Sequence, residues 1–246
     1  MKIIGIIPAR YASTRFPGKP LALIGGKTMI ERVYTQCIKS SLDEVIVATD
    51  DERIYQHVMS FGRAVMTSEL HPSGTDRCRE AVEKAVHPFD YVINIQGDEP
   101  FIDPEQINLL SSMLDGQTEI ATLIKRIENV DELLNPNVVK AVRGASGLAI
   151  YFSRSPIPHV RGKAERDWLA HHTFYKHIGM YAYRTDVLKK ISALQQTSLE
   201  KTESLEQLRW LENGYSILTA ETEQETMGID TPEDLEIANR ELENRK

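Results

Sequence analysis

The sequence predicts an α/β protein built on a parallel sheet, and two observations carry that prediction. Short β-rich runs at Ile3–Ile7, Glu44–Thr49 and Tyr91–Ile95 are apolar without alternation, as strands covered on both faces are. Helical patterns at Met29–Lys39, Glu52–Phe61 and Asp76–Val86 separate them, the rhythm of successive βαβ crossovers. With 246 residues, 41% of them hydrophobic, the chain is long enough to bury a sizeable core, as one domain over 1–246 or as such a domain with a small insertion.

The elements follow in order. The helix at Glu52 has Asp50 or Asp51 as its expected N-cap, and that at Asp76 has Thr75 or Asp76. Further strands are expected at Ala121–Ile127, Val138–Val142, Leu148–Phe152, Ile178–Tyr183 and Ser216–Thr219. Further helices are expected at Pro104–Leu114, Thr185–Ile191, Ser204–Glu212 and Pro232–Asn244, the last with Thr231 as cap and Pro232 in its first turn. Ser153 to His177 is the longest stretch without clean periodicity, and a loop of that length is usually functional, so it is expected to be a lid or a subunit contact. It places the expected insertion at roughly 145–185.

Twenty-nine basic against thirty-six acidic side chains give a formal charge of −7, a field that repels polyanions and argues against nucleic acid as a partner. The first acid is nevertheless Glu31, after Lys2, Arg10, Arg15, Lys19 and Lys27, so a local anion site inside an acidic protein is expected. Cys37 and Cys78 lie far apart in helical segments and support neither a disulfide framework nor a cysteine metal site. The apolar run at the start is too short for a signal segment or a membrane span, and a soluble cytoplasmic protein without membrane insertion is expected.

The stretch "PARYASTRFPGKP", Pro8 to Pro20, is the strongest candidate for that anion site. It follows the first strand, at the carboxyl edge where parallel sheets bind ligands, and presents two guanidinium forks and an ammonium. Gly18 lets the backbone approach a ligand, and Pro17 and Pro20 limit the entropy lost on ordering the loop. Spacing alone also fits a solvated basic turn. "GGKT" at Gly25–Thr28 is a turn before a helix, because a Walker loop needs glycine where Leu21 stands. No G-x-G-x-x-G fingerprint supports a nicotinamide enzyme, no D-x-D supports a metal-dependent glycosyltransferase, and His171, His172 and His177 do not have zinc-motif spacing. In "INIQGDEP" the strand ends at Gln96 and turns at Gly97, leaving Asp98 at the same edge, either as a turn former or where a hard cation could bridge it to phosphate.

"IPARYASTRFPGKPL", "PSGTDR", "INIQGDEPFI", "YFSRSPIP", "HIGMYAY", "LEQLRWLENG" and "GIDTPEDL", in this order, resemble the 3-deoxy-manno-octulosonate cytidylyltransferases, the CMP-Kdo synthetases, essentially end to end. A looser opening motif is shared across sugar nucleotidyltransferases, so it is the later motifs that specify the family. The resemblance implies a Rossmann-like three-layer α/β/α fold with a mixed, mostly parallel sheet and a small dimerisation and sugar-binding subdomain. It implies CTP and Kdo as substrates and a homodimer joined around Arg154–His177. Mg²⁺ is the implied cofactor, bound by Asp98 and Asp230. Arg10, Arg15 and Lys19 would hold the triphosphate; Ala9, Ser73, Gly74 and Thr75 would line the nucleotide site, with Arg77 near the phosphates. Gln96, Arg154, His177, Tyr181, Glu206 and Gln207 would contact the sugar acid. In "TESLEQLRWLENG" the leucines at 205, 208 and 211 form a core stripe, while Glu203, Glu206, Gln207 and Trp210 fall on a second face that by pattern alone reads as solvated. A cytidylyltransferase for sialate or 8-amino-Kdo, or a silent nucleotide-binding module, are the alternatives.

Overall fold

The run IIGIIPA forms β1 (Ile3–Ala9), buried at nearly every position, as its unbroken apolar pattern requires. The computed structural model describes residues 1–12, 16–225 and 228–244. After β1, β2 (Leu23–Ile24) and β3 (Lys27–Thr28) make a small hairpin turned at Gly25 and Gly26, both left-handed. Thr28 caps α1 (Met29–Cys37), its hydroxyl accepting from Glu31 N, so "GGKT" is indeed a turn entering a helix. Next come β4 (Glu44–Thr49), α2 (Glu52–Met59) capped by Asp51, β5 (Ala64–Met66), α3 (Gly74–Glu83), β6 (Tyr91–Asn94) and α4 (Pro104–Ser112). β1 is flanked in parallel by β6 and β4, and β4 by β5, so the carboxyl ends of β1 and β6 lie side by side.

The chain then builds β7 (Ile120–Arg126), α5 (Val130–Leu134), β8 (Lys140–Arg143) and β9 (Ala149–Ser153). A 3₁₀ segment at Glu165–Ala170 leads to β10 (Tyr175–Arg184), α6 (Thr185–Ile191), α7 (Ser198–Glu203), α8 (Glu206–Glu212) and β11 (Ile217–Glu221). Here strand directions are mixed: β7 runs parallel to β11 and antiparallel to β10, and β10, β8 and β9 alternate. Finally α9 (Pro232–Asn244) closes the chain. The α/β class with a mixed sheet is what the sequence predicts. The chain forms two compact units, Met1–Ser111 with Glu225–Lys246, and Ser112–Gln224. The second unit is thus wider than an insertion at 145–185, because β7 and β11 form its sheet together with β8–β10.

Three local expectations are corrected. Ser73, not Thr75 or Asp76, caps α3, its hydroxyl accepting from Asp76 N, and the helix begins at Gly74. The helix expected over Ser204–Glu212 starts at Glu206, since Ser204 adopts a left-handed φ of 53° that ends a separate, unexpected helix, α7. The second face of this stretch is only partly solvated: Gln207 and Trp210 are buried while Glu203 and Glu206 are half-buried, and the neighbouring Arg209 forks onto Glu200 of α7 at 2.6 and 2.8 Å. The uneven stretch after Ser153 is pinned by Trp168 and Phe174, which pack with Ile127 and Leu133. Among the described residues no helix is long and apolar enough to cross a membrane.

The last helix is held to the start of the chain. Ile229 and Ala238 pack with Ile24 and Met29, and Asn239 accepts from Gly25 N at 2.9 Å while donating to Leu23 O at 3.3 Å. Asn239→Ala removes both tethers and is expected to cost about 1–2 kcal/mol, read as a lower urea midpoint; an unchanged midpoint would show that apolar packing alone docks α9.

Candidate active site

A cleft of about 500 Å³ opens at the carboxyl ends of β1 and β6. Ala9, Arg10, Lys19, Ser73, Gly74, Gln96 and Asp98 line it, so seven of the expected residues meet in one place. Gly97 makes the geometry: a Cβ there would lie 2.7 Å from the Pro8 carbonyl oxygen, so only glycine lets the turn after β6 press against the end of β1 and present Asp98. Gly18, at φ 72°, turns the chain so that Lys19 and Pro20 start a short 3₁₀ turn directed at the same edge. Arg15 lies outside the described residues.

Lys19 Nζ sits 2.8 Å from Asp98 Oδ2 and 3.2 Å from Asp230 Oδ1, with only 15% of the lysine side chain exposed. The ammonium offsets the repulsion of two carboxylates that would otherwise disfavour each other. Asp230 is delivered by the C-terminal return: Ile229 N donates to Asp98 O, and the Asp234 carboxylate accepts from the N–H groups of both Asp230 and Thr231 while Thr231 Oγ1 accepts from Asp234 N. Those backbone donations hold the Asp234 carboxyl below its usual range. This is a capping box, readable in "TPED", and the sequence reading stopped at Thr231. Two hard carboxylates facing one cationic centre are a donor set that suits a small divalent cation completed by substrate oxygens. Among the described residues no three metal-ligating side chains converge, so the protein alone offers no full cage.

Beneath the cleft lies a second layer of charge. Arg77 is fully buried, its Nη2 2.6 Å from Asp50 Oδ2 and its Nη1 2.5 Å from Thr67 Oγ1. Expected near the phosphates, it has both ends of its fork on the scaffold, tying α3 to the end of β4. Thr75 is likewise buried, at 2% exposure, and keeps its side chain off the cleft surface. Arg10 donates to His71 O at 2.7 Å, and burial, then the neighbouring Arg77, lowers its pKa. The His71 loop is in turn fastened by Glu80, which accepts from the His71 ring and from Ser68 N and pairs with Lys84. Burial opposes ionisation of Glu80, but these donors outweigh it and hold the carboxyl at about 2.

The remaining expected residues belong to the second unit. His177 and Tyr181 stand on β10 with ring centroids 5.1 Å apart, and Trp210 of α8 meets Tyr181 edge-on at 5.1 Å. Burial, then the charge of Glu206, raises the Tyr181 phenol's pKa. Tyr181 Oη and Trp210 Nε1 are buried without a hydrogen-bond partner among the described residues. Gln207, on the first turn of α8, is buried. Arg154 is held by Glu203: its N–H donates to the carboxylate at 2.9 Å and its Nε to the Glu203 carbonyl at 2.7 Å, while Ser153 Oγ donates to the same carboxylate at 2.6 Å. No local sequence signal marks Glu203 for this role, because its partners lie about fifty residues away. Gln96, grouped with the sugar contacts in the sequence, lies in the first unit's cleft.

Comparison with known proteins bears directly on these two sites. The family model described as Cytidylyltransferase matches residues 4–224. The chain is 60% identical over 239 residues to a 3-deoxy-manno-octulosonate cytidylyltransferase of Cytophaga hutchinsonii, covering 96% of this chain and 95% of that one. It is 59% identical to the protein of the same name from Parabacteroides distasonis, covering all of both. Among solved structures, CMP:2-keto-3-deoxy-manno-octonic acid synthetase complexed with CTP superposes with a TM-score of 0.92 at 42% identity over the full length of both chains. A 4-diphosphocytidyl-2C-methyl-D-erythritol synthase from Anaerococcus prevotii, at 17% identity and a TM-score of 0.63, shares the fold. With the cation–carboxylate cleft of the first unit and near-complete coverage at this identity, the chain belongs to the 3-deoxy-manno-octulosonate cytidylyltransferase family.

Proposed function

We propose that this chain transfers CMP from CTP to the anomeric 2-hydroxyl of 3-deoxy-D-manno-octulosonate (Kdo), giving CMP-Kdo and pyrophosphate for lipopolysaccharide assembly. The observation that carries this reading is the convergence of Lys19, Asp98 and Asp230 at the carboxyl edge of the sheet in a member of this family. The bond formed joins the sugar's 2-oxygen to the α-phosphorus, and the bond broken joins that phosphorus to the departing pyrophosphate. Such a displacement needs no protein nucleophile; it needs alignment and fixed positive charge. Arg10, Arg15 and Lys19 hold the triphosphate, Ala9, Ser73 and Gly74 face the nucleotide, and Arg77 supports them from below. Asp98 and Asp230 hold Mg²⁺, which when bound neutralises phosphate charge and makes the α-phosphorus more electrophilic. Lys19 keeps the two carboxylates together before the nucleotide arrives. In the second unit Arg154 takes the acid's carboxylate, and His177, Tyr181, Glu206 and Gln207 take its hydroxyls.

A homodimer formed through the segment around 154–177 fits an exposed Ile150, at 62%, on β9, which β8 pairs along one side. Two buried free cysteines fit the reducing cytoplasm.

Pyrophosphate release with CTP, Mg²⁺ and Kdo is expected, with little release when UTP or ATP replaces CTP or when sialate or 8-amino-Kdo replaces Kdo; release that ignores the acceptor would overturn the assignment. Arg10→Ala is expected to lower kcat/KM for CTP by about 3 kcal/mol, the scale of one preorganised electrostatic contact, and wild-type CTP kinetics would remove Arg10 from the clamp. Asp98→Ala should need roughly tenfold or more extra Mg²⁺ for half-maximal rate; a wild-type magnesium titration would take Asp98 out of the metal site. Light scattering should give twice the chain mass, and a monomer would refute the dimer.

A further inference from the structure

Thr122 of β7 is fully buried, opposite the place where β10 is irregular between Ile178 and Tyr181. Its Oγ1 lies 2.8 Å from Met180 O, 3.2 Å from Ile178 O and 3.0 Å from His177 Nε2. The pairing register shifts here, and the hydroxyl meets the two carbonyls at the shift. A carbonyl oxygen can only accept, and a hydroxyl has one proton to give. If that proton turned toward the ring, the lone pairs of the hydroxyl would face those of two carbonyls in a dry site. The arrangement that avoids this points the Thr122 proton toward the carbonyls, Met180 O being the nearer, and fills a Thr122 lone pair from the ring, so His177 carries hydrogen on Nε2.

Burial pushes the His177 pKa down to about 4, so at neutral pH the ring carries a single proton. That leaves Nδ1 as a bare lone pair, without a hydrogen-bond partner among the described residues. The Phe152 ring, 5.3 Å away, and the Tyr181 ring, 5.1 Å away, restrict rotation of the imidazole. We propose that Thr122 is a positioning residue that locks His177 as its Nε2–H tautomer, so that Nδ1 accepts a hydrogen bond from a hydroxyl of the bound sugar acid. The inference rests on the proposed assignment of His177 and its neighbours in the second unit to that substrate. It makes the site selective for a donor: a hydroxyl at this position is accepted, whereas a keto, ether or fluoro group there would meet a second lone pair.

Long-range ¹⁵N–¹H correlation spectra of the labelled wild-type protein test the lock directly, with the His177 signals assigned by their loss in His177→Gln. A pyrrole-type Nε2 and a pyridine-type Nδ1 are expected; a proton on Nδ1, or an imidazolium at neutral pH, would overturn the lock. In kinetics, Thr122→Val is expected to raise KM for Kdo by about tenfold, the scale of one lost buried hydrogen bond, with KM for CTP within about twofold. Thr122→Ser, which keeps the hydroxyl, should restore the wild-type KM for Kdo. If His177→Gln raises KM for Kdo while folded Thr122→Val does not, the lock falls and the pocket assignment stands. If His177→Gln leaves KM for Kdo unchanged, the pocket assignment falls and takes the role of Nδ1 with it. Should Thr122→Val fail to fold, the wild-type spectrum and Thr122→Ser decide the question.

Discussion

One ammonium group organises the first unit. Lys19 Nζ joins Asp98 and Asp230, residues 79 and 211 positions away in the sequence, and so brings the opening loop, the turn after β6 and the C-terminal return to one point. The pairs are partly exposed, and surface ion pairs add little to stability. Their value is positional. Two carboxylates that repel each other are held in one orientation by a cation, and that orientation serves a substrate carrying several negative charges of its own.

The surrounding structure supplies what that point cannot supply for itself. Gly97 allows the approach of two backbones, the Asp234 capping box fixes the chain at Asp230, and the Asn239 tether fixes the helix that follows. Arg77 and Asp50 form a charged layer under the cleft that braces α3, whose N-terminus carries Ser73 and Gly74. Removing one partner of such a layer leaves an unpaired charge in low dielectric, a strongly destabilising change. In the second unit the same logic is carried by one neutral hydroxyl and by paired charges. Thr122, Glu203 and the Glu200–Arg209 fork leave little freedom to the side chains they hold.

The parts of this design that were legible in the sequence are those with a local signature. Apolar runs marked β1, β4 and β6, alternating helices marked the crossovers, and the acid-free opening with its three cations marked the anion site. The positions of Asp98 and Asp230 could be named, their functional pairing only through family resemblance. What local pattern could not show is set by tertiary contact. Arg77 reads as a cation in the first turn of a helix that opens on small polar residues, yet Asp50 and Thr67, distant in sequence, claim its fork. The second face of α8 reads as solvated, yet aromatic packing buries part of it. Ser204 looks like an ordinary helical residue, and only the packing of α7 against α8 selects its left-handed conformation.

The claim at the centre is that Lys19 and Asp98 work as one unit on the nucleotide. A double-mutant cycle on kcat/KM for CTP, with Lys19→Ala, Asp98→Ala and the double variant, measures that directly. The account predicts a coupling energy of at least about 1.5 kcal/mol, the double variant losing far less than the sum of the two single losses. Losses that add to within about 0.5 kcal/mol would show that the two residues act independently, and would contradict it.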